Sequence, residues 1–255
     1  MLAPFFWLAS SSLKDLSKIW LFPPQWIPNP IRWDNYSKAL TTMPFLLFFK
    51  NTIIIILFVE LGTLVSASLC AYGFTFCRFP GRNFIFFVVL STMMLPYAVI
   101  IIPTYIMWKY LRGIDTFYPL IVPAFFGGGA FNIFLLRQFF RTLPPALIDA
   151  ARIDGCSELG IHARIVIPLS KPALATIGVF TFMWHWNDFL APLVYLSTPE
   201  KFTVSLGLAS FQGLYSTQWG YLMAAATVVT IPVVLVFFFA QRYFVEGITL
   251  TGMKG

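Results

Sequence analysis

The stretch Leu143–Pro172 reads L-P-P-A-L-I-D-A-A-R-I-D-G-C-S-E-L-G-I-H-A-R-I-V-I-P-L-S-K-P, a polar island between long apolar runs. Pro144-Pro145 suits the start of a helix, because the first-turn N–H groups of a helix have no intrahelical partner to lose. Leu147 to Asp154 then reads as a short helix with Asp149 in its first turn, where the helix dipole favours a carboxylate. Gly155 is a natural break, Ser157 is placed to cap a second short helix, and Pro168 and Pro172 end the region. Ile148, Ala151, Gly155 and Leu159 recur at helical spacing, and the two small members leave room for another surface to approach. The expectation is two short helices lying off a membrane, unable to bury their own apolar face.

The rest of the chain supplies the membrane. Hydrophobic residues make up 58% and charged residues only 11% of its 255 residues, with a mean hydropathy of +0.79, whereas soluble domains carry roughly a quarter charged residues. Five runs reach the roughly 20 residues needed to cross a hydrocarbon core: 52–76, 84–108, 116–136, 172–196 and 219–240. Their apolar character is continuous rather than alternating, so they read as helices and not barrel strands. The net charge of +7 comes from basic residues scattered singly through the loops, which fits lipid headgroups better than nucleic acid. Cys70, Cys77 and Cys156 form no spaced pairs, so neither a disulfide framework nor a metal site is expected. Prolines 96, 103, 123 and 232 and the run Gly127-Gly128-Gly129 interrupt the spans, which predicts kinks or close helix approach.

The order D-A-A-R-I-D-G at Asp149–Gly155, then twelve residues, then Pro168, with Pro172 after three more, resembles the coupling segment (the EAA loop) of ABC importer permeases. Phe131–Phe140 (F-N-I-F-L-L-R-Q-F-F), Trp186-Asn187-Asp188-Phe189 and the tail Gln241–Gly255 (Q-R-Y-F-V-E-G-I-T-L-T-G-M-K-G) narrow the resemblance to the maltose-type carbohydrate permeases. It runs from Pro4 to Gly255.

The resemblance implies an all-α integral membrane protein, one permease domain over residues 1–255, with six transmembrane helices. The first would be truncated at the N-terminus, Pro4–Lys14 forming its end. The coupling segment (about 144–172) would lie in the cytosol and dock on an ATP-binding subunit through Asp149, Ala150, Ala151, Asp154, Gly155 and Pro168. The tail (about 241–255) would face the ATPases with Gly247, Thr249, Lys254 and Gly255. Implied partners are a second homologous permease, two ATP-binding cassette subunits, an extracytoplasmic sugar-binding protein and the lipid bilayer. The chain itself would bind no cofactor, with ATP and Mg on the ATPase subunits, and would sit multi-pass in a bacterial or archaeal cytoplasmic membrane. Three positions depart from the family pattern: Asp149 where Glu is usual, Cys156 for a small Ala, and His162 for an aromatic. His162 reads as a substituted packing residue. Lysine and arginine fall nine inside and eight outside under this topology, so orientation rests on the motif and not on charge.

The sequence has no phosphate-binding G-x-x-x-x-G-K-S/T, and its two histidines have no H-E-x-x-H spacing, so it reads as a transport component and not an enzyme. Polar groups inside spans are costly and point to function. Glu60 reads equally as a lining of a hydrated path or as a carboxyl paired with the companion permease. Trp184, Trp186, Asn187 and Asp188 combine aromatic faces with polar groups, as a sugar site does, although Trp also anchors helix ends at interfaces. Gln212 and Tyr215 lie on an outer loop resembling one that reaches a binding protein's sugar cleft; a simple re-entry turn is the other reading. The rivals for the whole chain are an amino-acid or peptide ABC permease, against which W-N-D-F and the tail argue, and an ion-gradient-driven secondary transporter, which would show internal repeats.

Overall fold

The computed structural model describes residues 3–212 and 218–252, with side chains as far as Ala240. Among the described residues every regular element is helical. In chain order they are α1 (Ala3–Ser12), α2 (Asp34–Thr42), α3 (Phe45–Phe76), α4 (Arg82–Ser91), α5 (Tyr97–Tyr110), α6 (Tyr118–Ile121), α7 (Ala130–Phe140), α8 (Pro145–Ile153), α9 (Glu158–Ile161), α10 (Ile167–Leu169), α11 (Lys171–Asn187), α12 (Leu190–Tyr195), α13 (Val204–Ala209) and α14 (Trp219–Gly252). By length and composition, 45–76, 118–140 and 219–240 can each cross a membrane, and two bent pairs raise the number to five if each pair is one span. The chain falls into two compact units, Met1–Ile54 with Trp186–Phe238 and Ile55–His185 with Phe239–Gly255.

The first unit holds α1, α2 and the loops around α13. The end of α1 is closed by Asn35, whose amide donates to the carbonyls of Ser12 and Lys14, both at 2.9 Å. Lys14 is buried with its Nζ 3.8 Å from the Trp7 ring centroid, a cation–π contact. Asp15 caps the turn Leu16–Lys18 and pairs with Arg32 at 3.1 Å. Helix α3 begins at Phe45, ahead of the start at residue 52 that the sequence run suggests, because its polar residues find tertiary partners. Asn51 donates to the carbonyls of Glu200 (2.8 Å) and Phe202 (3.1 Å), and the Val204 N–H donates to Thr52 Oγ1 at 3.0 Å. Phe45, Phe48 and Phe211 fill the space beside them.

The second unit is built on the remainder of α3. Its core joins Ala67, Ala71, Tyr72 and Phe74 of α3 to Phe86, Leu136, Phe140, Ile148, Ala151, Ile161 and Val166. The run expected over 84–108 is not one kinked helix: α4, extended by a 3-10 turn to Met94, meets α5 at 101° across Leu95-Pro96. Leu95 is extended, as the residue before a proline prefers. The run expected over 116–136 is broken as well, since 127–129 are glycines at φ +96°, +62° and +91° between the turn at Val122–Phe125 and α7. At Gly128 a Cβ would lie 2.8 Å from the Thr63 carbonyl oxygen, so here glycine serves close approach to α3. The tail expected beyond Gln241 continues as helical backbone of α14 to Gly252.

Candidate functional site: the coupling segment

Residues 144–172 form a hairpin of helices, with two corrections to the sequence reading. First, α8 starts at Pro145 behind Pro144, which places Asp149 in the second turn and not the first. Second, Pro168 does not end the second limb. That limb runs on from α9 through a π-helical stretch, His162–Val166, into α10, which contains Pro168. The limb then turns by 82° into α11, with Ser170 between them. As expected, Gly155 breaks the hairpin at φ +77°, and Ser157 caps α9 by accepting the Gly160 N–H at 3.2 Å.

The hairpin buries half of itself. Ile148, Ala151, Ile161 and Val166 enter the core of the second unit, so the expectation that the segment cannot bury its apolar face is corrected. Ala151 consequently packs inward. His162 is also buried, its ring edge-on to Tyr72 at 5.4 Å, a packing role as expected. The opposite side stays open. Asp149, Ala150, Asp154, Gly155 and Pro168 are exposed, together with Ile153 (87%) and Leu159 (70%). Two large apolar side chains thus lie bare among carboxylates on this side.

One ion-paired cluster holds the hairpin to α3, and sequence reasoning missed it. Arg152 Nε donates to Glu158 Oε1 at 2.8 Å and Nη2 to Glu158 Oε2 at 3.2 Å, a two-point fork. The Tyr72 hydroxyl donates to Glu158 as well, and Arg152 Nη2 reaches the Phe76 carbonyl at 3.2 Å. Arg152 Nη1 lies 3.5 Å from Asp149, a loose pairing that leaves that carboxylate available. Arg152, followed by the Tyr72 hydroxyl, holds the Glu158 carboxyl below its ordinary value of 4.5. The only sequence signal was a basic and an acidic residue flanking the Gly155 break.

Glu60 is half-buried on α3 with Oε2 unpartnered, and a Cβ on Gly178 would lie 3.6 Å from it. Trp184 is exposed, whereas Trp186 is buried with its Nε1 donating to the Val229 carbonyl at 3.2 Å. Asp188 accepts the Ala191 N–H at 3.2 Å and so caps α12, directly after Asn187 ends α11. Gln212 is exposed beyond α13. Gly247 and Thr249 lie on the backbone of α14, and their side chains, with Lys254, Gly255 and Tyr215, lie outside the described residues.

A hairpin of this sequence, fastened beside a bundle of broken apolar helices, has known relatives. Residues 64–250 match the family described as binding-protein-dependent transport system inner membrane component. The chain belongs to that family. It is thus a membrane transport component and not an enzyme. It is 36% identical over 230 residues to the arabinooligosaccharides transport system permease protein AraQ of Bacillus subtilis, covering 89% of this chain and 81% of the relative. It is 36% identical over 247 residues to the sn-glycerol-3-phosphate transport system permease protein UgpE of Yersinia pestis, covering 94% and 87%. Among solved structures, a bacterial ABC transporter involved in the import of the acidic polysaccharide alginate matches with a TM-score of 0.84 at 26% identity, over 95% of this chain and 90% of that one. A crystal structure of the bacterial alginate ABC transporter in complex with an alginate pentasaccharide-bound periplasmic protein shares the fold, with a TM-score of 0.70 at 16% identity over 95% and 87%. The ABC importer permease fold expected from the sequence is therefore the fold of this chain.

Proposed function

We propose that this permease is one of two membrane subunits of an ATP-driven importer for a carbohydrate or polyol derivative. The observation that carries this is the exposed face of the coupling hairpin, formed by Asp149, Asp154, Gly155, Ile153 and Leu159, in a chain whose relatives carry names of oligosaccharide and glycerol-phosphate transport systems. The hairpin lies on the cytosolic side and fits into a cleft on an ATP-binding subunit. The apolar side chains fill the cleft, and Asp149 meets a basic residue of it. ATP and Mg belong to those subunits. An extracytoplasmic binding protein delivers the sugar on the opposite side, the chain crosses the membrane six times counting its first helix, and a second permease completes the path. Glu60, Trp184, Trp186, Asn187, Asp188, Gln212 and Tyr215 are the candidate contacts for the passing substrate or for that companion, and of these Trp184, Asn187 and Gln212 are exposed.

Co-purification tests the assembly. Tagged wild-type chain, solubilised with its neighbours, should retain a second permease and two ATP-binding subunits. Asp149→Lys should release the ATP-binding subunits, since repulsion at a desolvated charge contact costs roughly 2–5 kcal/mol. Retention of the ATPases by Asp149→Lys, with normal uptake, would remove Asp149 from the interface.

A further inference from the structure

Four successive carbonyls at the end of α3 are met by guanidinium groups from three different segments. Arg137 Nε, on α7, donates to Phe74 O at 3.3 Å, and the Arg137 guanidinium lies 4.0 Å over the Phe86 ring. Arg82 Nη1, at the start of α4, donates to Thr75 O at 3.4 Å and to Cys77 O at 3.1 Å. Arg152 Nη2, on α8, donates to Phe76 O at 3.2 Å. The last carbonyls of a helix have no partner within it, and its C-terminus carries the negative end of the dipole, so cations are favoured there. One basic residue would satisfy that need. Here three converge, each arriving from a different helix.

Arg152 differs from the other two because it carries a second connection. Its fork on Glu158 joins the first limb of the coupling hairpin to the second, and Glu158 is tied back to α3 through the Tyr72 hydroxyl. The covalent link between the limbs is the Gly155 turn. It has a left-handed backbone, is exposed, and has no atom within 4 Å of a Cβ placed there, so nothing props it from outside. A push on the hairpin could be lost in that turn. The cluster of Arg152, Glu158, Tyr72 and the Phe76 carbonyl closes a ring around it.

We propose that this arginine collar is the point of transmission: Arg152 and Glu158 lock both limbs of the hairpin to the last turn of α3, so that displacement of the hairpin is passed into α3, while Arg82 and Arg137 pass it on to α4 and α7. The proposal rests on the reading that the ATP-binding subunits act on this hairpin. Arg152, Glu158 and Tyr72 are then positioning residues that touch no substrate. A purely structural role would be covered by the burial of Ile148, Ala151, Ile161 and Val166, which anchors the hairpin independently of the ion pair.

Two measurements on the assembled transporter separate these roles. In a cysteine-free background, spin labels at Phe79→Cys and Leu147→Cys report the spacing between the turn after α3 and α8. Both positions are exposed. The otherwise unaltered chain should give one narrow distance, and Arg152→Gln and Glu158→Gln should broaden it. The second readout is sugar taken up per ATP hydrolysed, with the ATP-binding subunits still bound. It should fall about tenfold in Arg152→Gln, the order of change expected when a linked network is cut. Arg152→Lys keeps the charge and loses the fork, so it should fall between, and Tyr72→Phe should lose least. An unchanged distance width and uptake ratio would overturn the proposal, leaving the collar a helix cap. Loss of the ATP-binding subunits from Arg152→Gln would overturn it too, by making Arg152 part of the docking face. If the unaltered complex shows no ATP-driven uptake, the permease reading fails, and the distance width alone then decides whether the lock exists.

Discussion

Gly155 stands at φ +77° with open space where its Cβ would be. Any L-residue there costs about 1–2 kcal/mol of backbone strain, and within this chain a large side chain costs little more than a small one. Gly155→Ala and Gly155→Leu should therefore lower the melting temperature of the purified chain by similar amounts. In the assembled transporter the two should diverge, with Leu abolishing uptake and Ala retaining part of it, because only the partner's cleft meets the added bulk. Equal uptake by both variants would mean that no partner surface comes close to Gly155. Glu158 gives a pH signature. Its folded value is held below 4.5 by Arg152, so the lock's contribution is complete above that value and lost as pH falls through the lower, folded one. The melting-temperature difference between wild type and Glu158→Gln should stay constant from about pH 8 to about pH 5 and shrink only in stronger acid. A difference that disappears near neutrality would mean that Arg152 and Glu158 are not paired in solution. At this scale the sequence showed Gly155 and Ser157 in their right roles, because a helix break and an N-cap are local, and it put Asp149 one turn too early. It did not show the Arg152–Glu158 fork or the inward face of Ala151, which depend on where α3 ends.

Among the elements, the broken helices separate what a sequence can show from what packing decides. The apolar runs were legible because a span must be long and nearly free of charge. The angle at Pro96 was not, since a proline removes one hydrogen bond but its neighbours decide how far the chain turns. The early start of α3 was hidden for a similar reason: Asn51 looks like a loop residue until the carbonyls of Glu200 and Phe202, far along the chain, accept its amide. The glycine run 127–129 offered two readings, a kink or close helix approach, and Gly128 shows the second. Gly128→Val would add left-handed strain of about 1–2 kcal/mol and overpacking against Thr63 of about 1–3 kcal/mol. The purified chain should lose several degrees of melting temperature. An unchanged midpoint would mean that α3 and the 127–129 loop do not meet as closely as the 2.8 Å approach to the Thr63 carbonyl requires.

At the scale of the whole molecule, one face of the hairpin is built into the second unit and the other is left bare, with Ile153 and Leu159 among carboxylates. That bare face is the one the proposed function gives to an ATP-binding subunit. Membership of the binding-protein-dependent transport family makes the chain an inner membrane component of a transport system. The central claim, that transport through this chain is driven by ATP-binding subunits acting on residues 144–172, is tested most directly by uptake into proteoliposomes. The vesicles would hold this chain, its companion permease and the ATP-binding subunits, with liganded binding protein outside and proton and sodium gradients collapsed. Uptake should require ATP on the side of the coupling hairpin and stop when the ATP-binding subunits are left out. Uptake by this chain alone, driven by a proton or sodium gradient without ATP, would contradict the claim.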